Sequence, residues 1–430
     1  MKWARKAVVA TMAMGVAGCT QVPESWPADS GGSPASPSPF PSSSAAAASP
    51  EAARREAATP EAATPEAATP WTGTWAVAVQ PRGRSFQRET LRQIVHTSIG
   101  GSAARVRLSN AYGTTPLTVN SVYVARRLRG SAIDAKTDRP VTFGGASTVI
   151  IPAGGSAVSD PVAFAVPADS DIAVSAYLPE STGASTRHAV GGRHNYIAAG
   201  DQSAAATLAG STTTSSYFFL AGVDVQNPAA TGSVVAFGAS ITDGVGSKFN
   251  ADRRWPDLLS DRLRSAGRTI GVLNTGISGN RLTADTHGAS AAKRFDRDVL
   301  RQPGVRWVII SDDAINDLGK SDTPAPQLIT ALRTLIARGH DAGIKVICST
   351  LTPFRGAGYW TERGERGRGE INAFIRSRDS GCDAVLDLDR ATRDPGSPSR
   401  FQRRYDSGDH LHPGDAGMRA IADAVELSWF

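Results

Sequence analysis

The sequence predicts two folded domains. An all-β sandwich or jelly roll over residues 71–231 precedes an α/β domain over 232–430 with a doubly wound, five-stranded parallel sheet. Three observations carry this reading. Period-two apolar alternation recurs through the first region with no long helical pattern between the runs. From Ser233, short near-continuously apolar runs alternate with helical patterns, as parallel strands joined by crossover helices require. The 430 residues exceed one ordinary core and fit two domains plus tails. Hydrophobic residues at 40% and charged residues at 20% exclude a fibrous or wholly disordered chain.

The chain opens with Lys2, Arg5 and Lys6 ahead of an apolar run from Ala7 to Gly15, which is too short to span a bilayer and has signal-peptide proportions. The run ends in Val16-Ala17-Gly18-Cys19, which resembles a bacterial lipobox. Residues 1–18 then read as a lipoprotein signal peptide and Cys19 as the lipidated first residue of the mature chain. Two acyl chains on Cys19 suffice for a stable membrane anchor, so the expected location is extracytoplasmic, at the cell membrane. Losing the three basic residues with the signal lowers the net charge from +6 to +3. No basic stripe stands elsewhere, which argues against a nucleic-acid partner. Residues 19–70 are rich in Pro, Ala, Ser and Thr and repeat Glu-Ala-Ala-Thr-Pro from Glu56, Glu61 and Glu66. They offer almost nothing to bury and read as an extended, disordered linker.

In the β region, strands are expected at 92–99, 105–108, 118–124, 148–151, 172–178 and 217–225, at sandwich-like spacing. His96, His188 and His194 are scattered there and read as structural or surface residues. The α/β region predicts strands at 234–237, 270–273, 305–311, 345–351 and 384–388. Helices are expected at 255–266, 327–342 and 369–377, with a last one after Pro413-Gly414. Cys348 falls inside one strand run and Cys382 before another. That offset exceeds the Cα separation a bridge allows, so two free thiols are expected.

Chemistry in such sheets gathers at the carboxyl ends of the strands. Four clusters sit there: Gly238-Ala239-Ser240-Ile241-Thr242-Asp243-Gly244, Asn274-Thr275-Gly276-Ile277-Ser278-Gly279-Asn280, Ala314-Ile315-Asn316-Asp317, and Asp409-His410-Leu411-His412-Pro413. In this order the domain resembles the SGNH/GDSL hydrolase (esterase/lipase) family, whose fold is a flavodoxin-like doubly wound sheet. Trp71-Thr72-Gly73-Thr74-Trp75 resembles the start of a β-module that precedes such domains in exported bacterial members. The resemblance implies Ser240 as nucleophile, His412 as its general base and Asp409 as the group orienting His412. It implies an oxyanion hole from the Gly279 and Ser240 N–H groups and the Asn316 amide.

Elementary chemistry agrees with these roles. A serine hydroxyl needs a positioned base, and Asp and His three residues apart on one loop let the carboxylate take Nδ1–H and leave Nε2 for the serine. His410 is the rival base, but it stands beside Asp409, a poor spacing for mutual orientation. Pro413 is expected to start the last helix. The sequence departs from the family at Ala239, where Asp is usual, and at Ala314, where Gly is usual. Asp312 and Asp313 end the third strand, beside the first in a 2-1-3-4-5 order, and either supply the acceptor Ala239 lacks or are both solvated while a water supplies it.

The function implied is serine-type hydrolysis of carboxylic esters, O-acetyl groups on glycans or acyl chains on lipids, with no cofactor and no metal. The competing reading is a non-catalytic glycan- or wall-binding protein on a decayed hydrolase domain. Tyr359 and Trp360, after the fourth strand, either bind substrate at the rim of the site or only pack against the next helix.

Overall fold

The structure, a computed structural model, describes residues 69–430. The signal peptide, Cys19 and all but the last two residues of the linker lie outside the described residues. Residues 69–430 belong to one compact unit that holds two principal hydrophobic cores.

The first core lies between two antiparallel sheets. One orders the strands Trp71–Ala76, Leu220–Gln226, Ala103–Ser109 and Ser156–Val158. The larger is centred on Glu89–Thr97, Ser170–Leu178 and Leu117–Arg129. Val106 and Val223 of the small sheet share a core with Val95, Val124 and Val174 of the large one. This is the inward alternation that the sequence pattern requires of a sandwich.

The second core surrounds a parallel sheet of five strands: β1 (Gly232–Phe237), β2 (Ile270–Asn274), β3 (Val305–Ile310), β4 (Lys345–Ser349) and β5 (Ala384–Leu386). Their order is β2-β1-β3-β4-β5. The helices are α1 (Ser240–Asp243), α2 (Trp255–Ser265), α3 (Ala291–Phe295), α4 (Asp313–Lys320), α5 (Ala325–Asp341), α6 (Glu362–Arg376), α7 (Leu388–Thr392) and α8 (Asp415–Asp423). α2 packs on β2 and α8, while α5 packs against α3, α6 and β4. Val234, Val235 and Ala236 of β1 are wholly buried, as befits an interior strand of a sheet covered on both faces.

Three expectations need correction. Cys348 and Cys382 are not free thiols: they form a disulfide with a Cα separation of 5.8 Å. β5 is only three residues long and pairs Val385 with Cys348. Asp383 bonds to the Val346 carbonyl, and Gly381, at φ 78°, turns the chain there. Cys382 therefore lies beside β4, where a straight extension of β5 would have carried it away.

α6 begins at Glu362, seven residues before the expected start. Thr361 caps it by accepting from the Gly364 N–H. Gly364 and Gly367 hide the helical pattern in the sequence. A Cβ at Gly367 would lie 2.6 Å from the Leu318 side chain, so close packing of α6 on α4 explains that residue. Pro413 also precedes α8 rather than starting it. Gly414 is the N-cap residue and Asp415 the first helical one.

The two halves meet along the strand Trp71–Ala76 and β2. The Gly73 N–H donates to the Pro303 carbonyl at 3.0 Å, and the Val272 N–H to the Ser98 hydroxyl at 3.0 Å. A Cβ at Gly271 would sit 2.0 Å from the Gly73 carbonyl oxygen, so only glycine allows this approach of backbones.

Candidate active site

Ser240 stands at the first position of α1, just past the carboxyl end of β1, and is 9% exposed. Its Oγ lies 2.8 Å from His412 Nε2, and His412 Nδ1 lies 2.6 Å from Asp409 Oδ2. A carboxylate only accepts, so Nδ1 carries the hydrogen and Nε2 faces the serine as an acceptor. The other oxygen of Asp409 accepts from the backbone N–H of Leu411 and of His412. Partial burial alone would raise the Asp409 pKa. The His412 ring and these N–H groups reverse that and bring it down to about 2, so the carboxylate stays ionised.

His410, the rival base, pairs instead with Asp406 at 2.6 Å and packs against Gly356. Its own backbone is left-handed, with φ 63°, and it is the His412 ring, not this one, that bonds Ser240.

The turn carrying Ser240 is held by Asp312. Its two carboxylate oxygens accept from the Ala239 N–H at 3.1 Å, the Ile241 N–H at 2.8 Å and the Thr242 hydroxyl at 2.6 Å. The acceptor missing from Ala239 thus comes from the neighbouring strand end, and from Asp312 rather than Asp313. Asp313 faces Arg294 at 3.4 Å, and burial pushes its pKa up to about 7. Gly238 leaves room for the arrangement, since a Cβ there would meet Asp312 and Thr242 at 2.4 Å.

Arg294 of α3 drew no attention in the sequence. It is fully buried and donates to the carbonyls of Gly238 and Thr275 and to the Asn280 side chain, tying the first two clusters together. A lone arginine between two motifs gives no periodic or spacing signal.

Gly279 takes a left-handed conformation, φ 77°, and a Cβ there would collide with the His287 ring. Neither the Gly279 nor the Ser240 N–H finds an acceptor among the described residues. Asn316, on α4, donates one amide hydrogen to the Asn280 carbonyl at 2.8 Å, which leaves the second free. Tyr359 donates its hydroxyl to the Asn316 oxygen at 3.3 Å, which fixes the orientation of the amide. Asp243, at the end of α1, accepts from both the N–H and the hydroxyl of Ser278, next to Gly279.

The other oxygen of Asp243 meets His188 of the β region at 3.1 Å. His188 Nδ1 faces the Ala78 carbonyl and Nε2 the Val190 carbonyl. Every partner of this ring is an acceptor, so both nitrogens carry hydrogen and the ring is an imidazolium. Burial would lower its pKa, but the Asp243 charge outweighs that and raises it. His188 was expected to be structural, and it is. What the sequence hid is that its partner lies on the same helix as Ser240. His194 packs on Phe249.

A pocket of about 770 Å³ brings Ser240, Gly279, Asn316, Tyr359 and His412 together. The β region walls part of it with Gln80, Tyr112 and Arg187, among others, a contribution no motif announced. Trp360 does not line this pocket. Its ring lies under the Arg355 guanidinium, and its indole N–H points to Glu365.

Elsewhere, His96, Asp171 and Asp252 bring ligand-type atoms within 4.8 Å of one another. Arg193 pairs with both carboxylates and Arg127 with Asp171, so cations of the protein already occupy the site.

Residues 236–420 match the model of the GDSL-like lipase/acylhydrolase family. No curated protein is similar to the chain at a significant level. Similar solved structures include the M. smegmatis aryl esterase, at 18% identity, covering 45% of this chain and 95% of that one, with a TM-score of 0.37. The acetyl xylan esterase AlAXEase is 23% identical over 45% of this chain and 96% of its own, with a TM-score of 0.34. An α/β hydrolase from the metagenome of Lake Arreo is also 23% identical, over 46% of this chain and 94% of its own, with a TM-score of 0.35.

Proposed function

We propose that this protein, a carboxylic ester hydrolase whose residues 236–420 form a GDSL-like lipase/acylhydrolase domain, works by acyl transfer through Ser240. The observation that carries the reading is the hydrogen-bonded line Ser240–His412–Asp409, of which Ser240 and His412 line a pocket. His412 Nε2 takes the hydroxyl proton as Oγ attacks the ester carbonyl carbon. The tetrahedral oxyanion is held by the N–H groups of Ser240 and Gly279 and by the free amide hydrogen of Asn316. His412 then gives its proton to the departing alkoxide. Water, activated by the same nitrogen, releases the acid from the acyl-serine. Asp409 keeps the proton on Nδ1 and stabilises the imidazolium throughout.

The substrates proposed are O-acetyl groups on glycans or acyl esters of lipids, met outside the cell by a protein anchored through Cys19. The lipobox-like sequence supports the anchor, and Cys19→Ser should release active protein from membranes. Hydrolysis of p-nitrophenyl acetate and octanoate tests the chemistry. Ser240→Ala should abolish turnover, and Asp409→Asn should lower kcat by orders of magnitude without unfolding the domain. Full activity of Ser240→Ala would sink the mechanism.

A further inference from the structure

We propose that the ester this site takes carries an anionic group, a carboxylate or a phosphate, bound by cations that the β region holds over the pocket. The inference rests on ester hydrolysis at Ser240 and names the substrate class of that same site. Three cationic side chains line the pocket, Arg82 and Arg187 from the β region and Lys320 from α4. Lys320 stands one helical turn beyond Asn316, on the same face. None of the three pairs with a carboxylate among the described residues. The one acidic residue lining the pocket, Asp285, is already matched by Lys293 at 2.8 Å and by the Ser290 N–H. Charge in the pocket is therefore unbalanced, and positive.

Two further observations point to a ligand. No group among the described residues takes the Nε of Arg187, so its guanidinium is not committed to an internal partner. Arg82 holds a left-handed backbone, φ 65°, although it is not glycine. Strain of this kind gathers at ligand clamps, where surrounding contacts impose it. Here the contacts are firm. Gln80 exchanges two backbone hydrogen bonds with Arg187, and its side chain spans from the Ala189 N–H to the His287 carbonyl of the catalytic domain. The backbone of Arg187 is thus tied, through Gln80, to the segment that carries His287, while Arg82 is exposed at the rim of the pocket. A guanidinium fork matches the paired oxygens of a carboxylate or phosphate better than it matches any neutral ester.

The test compares substrates matched in length and differing in charge. Mono-p-nitrophenyl succinate is set against p-nitrophenyl butyrate, and 1-acetylglycerol 3-phosphate against 1-acetylglycerol, which separates a carboxylate from a phosphate. The expected result is a kcat/KM at least about tenfold higher for the anionic member of one pair at low ionic strength, which is the size of one charge-assisted hydrogen bond. Salt should shrink the ratio. Arg187→Met should bring it towards one, and Arg82→Gln or Lys320→Gln should lower it. Comparable melting temperatures for the variants would show that they fold. Neutral esters hydrolysed as well as anionic ones in both pairs, or a ratio untouched by all three variants, would overturn the proposal. Failure of wild type to hydrolyse any member would instead overturn the esterase reading beneath it.

Discussion

Asp312→Ala is the sharpest perturbation of the turn that carries Ser240. Asp312 is 3% exposed and accepts three hydrogen bonds, two of them from the backbone N–H groups flanking Ser240. Truncation leaves those two donors without an acceptor in a buried site, at about 1–3 kcal/mol each. The expected loss is therefore about 2–6 kcal/mol, less whatever a water in the vacated space restores. Total stability is about 5–15 kcal/mol for a typical domain, so the effect is large. Urea unfolding measures it, and ester turnover on the same samples reports the position of Ser240, with kcat falling by about 100-fold or more.

Ala239→Asp alone should give no gain. It sets a second carboxylate beside Asp312 in a buried turn, which raises a carboxyl pKa. Combining it with Asp312→Ala should recover part of the loss, because only one carboxylate is then present to accept. An unchanged kcat and unfolding midpoint in Asp312→Ala, or strict additivity in the double variant, would refute the assignment.

Two other expectations follow from contacts already described. His188→Gln leaves Asp243 buried without its cation, a loss of about 3–5 kcal/mol. The His188 pKa is raised in the folded state. Its stabilisation is therefore fully present below the unfolded histidine value, about 6.5, and fades as pH rises through the folded one. The gap between wild type and variant should be widest in mild acid, and a gap that grows with pH would contradict the imidazolium. Replacing Cys348 and Cys382 by serine opens a loop with a sequence separation of 34, and should lower stability by about 2–4 kcal/mol. An unchanged melting temperature in that double variant would mean the crosslink contributes nothing.

The strands of the α/β domain were legible because buried parallel strands are short apolar runs bounded by polar turns, as at 234–237 and 305–311. Ser240, Asn316 and His412 were singled out by the order of their motifs, through resemblance to a family, and the structure brings all three to one pocket. What spacing does not carry was lost. The disulfide depended on a turn at Gly381, the start of α6 on close packing at Gly367, and the Asp243–His188 pair on contact between residues 55 apart in sequence. Asp312 could be anticipated only as one of two neighbours, because the sequence locates a strand end but not the direction of each side chain along it.

The seam at Gly73 and Gly271 bears on how this enzyme could be taken apart. A boundary drawn at Gly232 looks like a natural place to cut, since a complete parallel sheet follows it. Cutting there would strip the edge-on backbone partner from β2, leave Asp243 facing solvent where His188 had been, and open one side of the pocket. The shortened protein would keep every motif residue and still lack part of what holds them in place. Grafting a different sandwich onto the same sheet would meet the same obstacle, because the donor would have to reproduce a glycine-on-glycine contact, a charged ring and a wall at once. On the function proposed, the catalytic unit in this chain is larger than the domain that bears the four motifs.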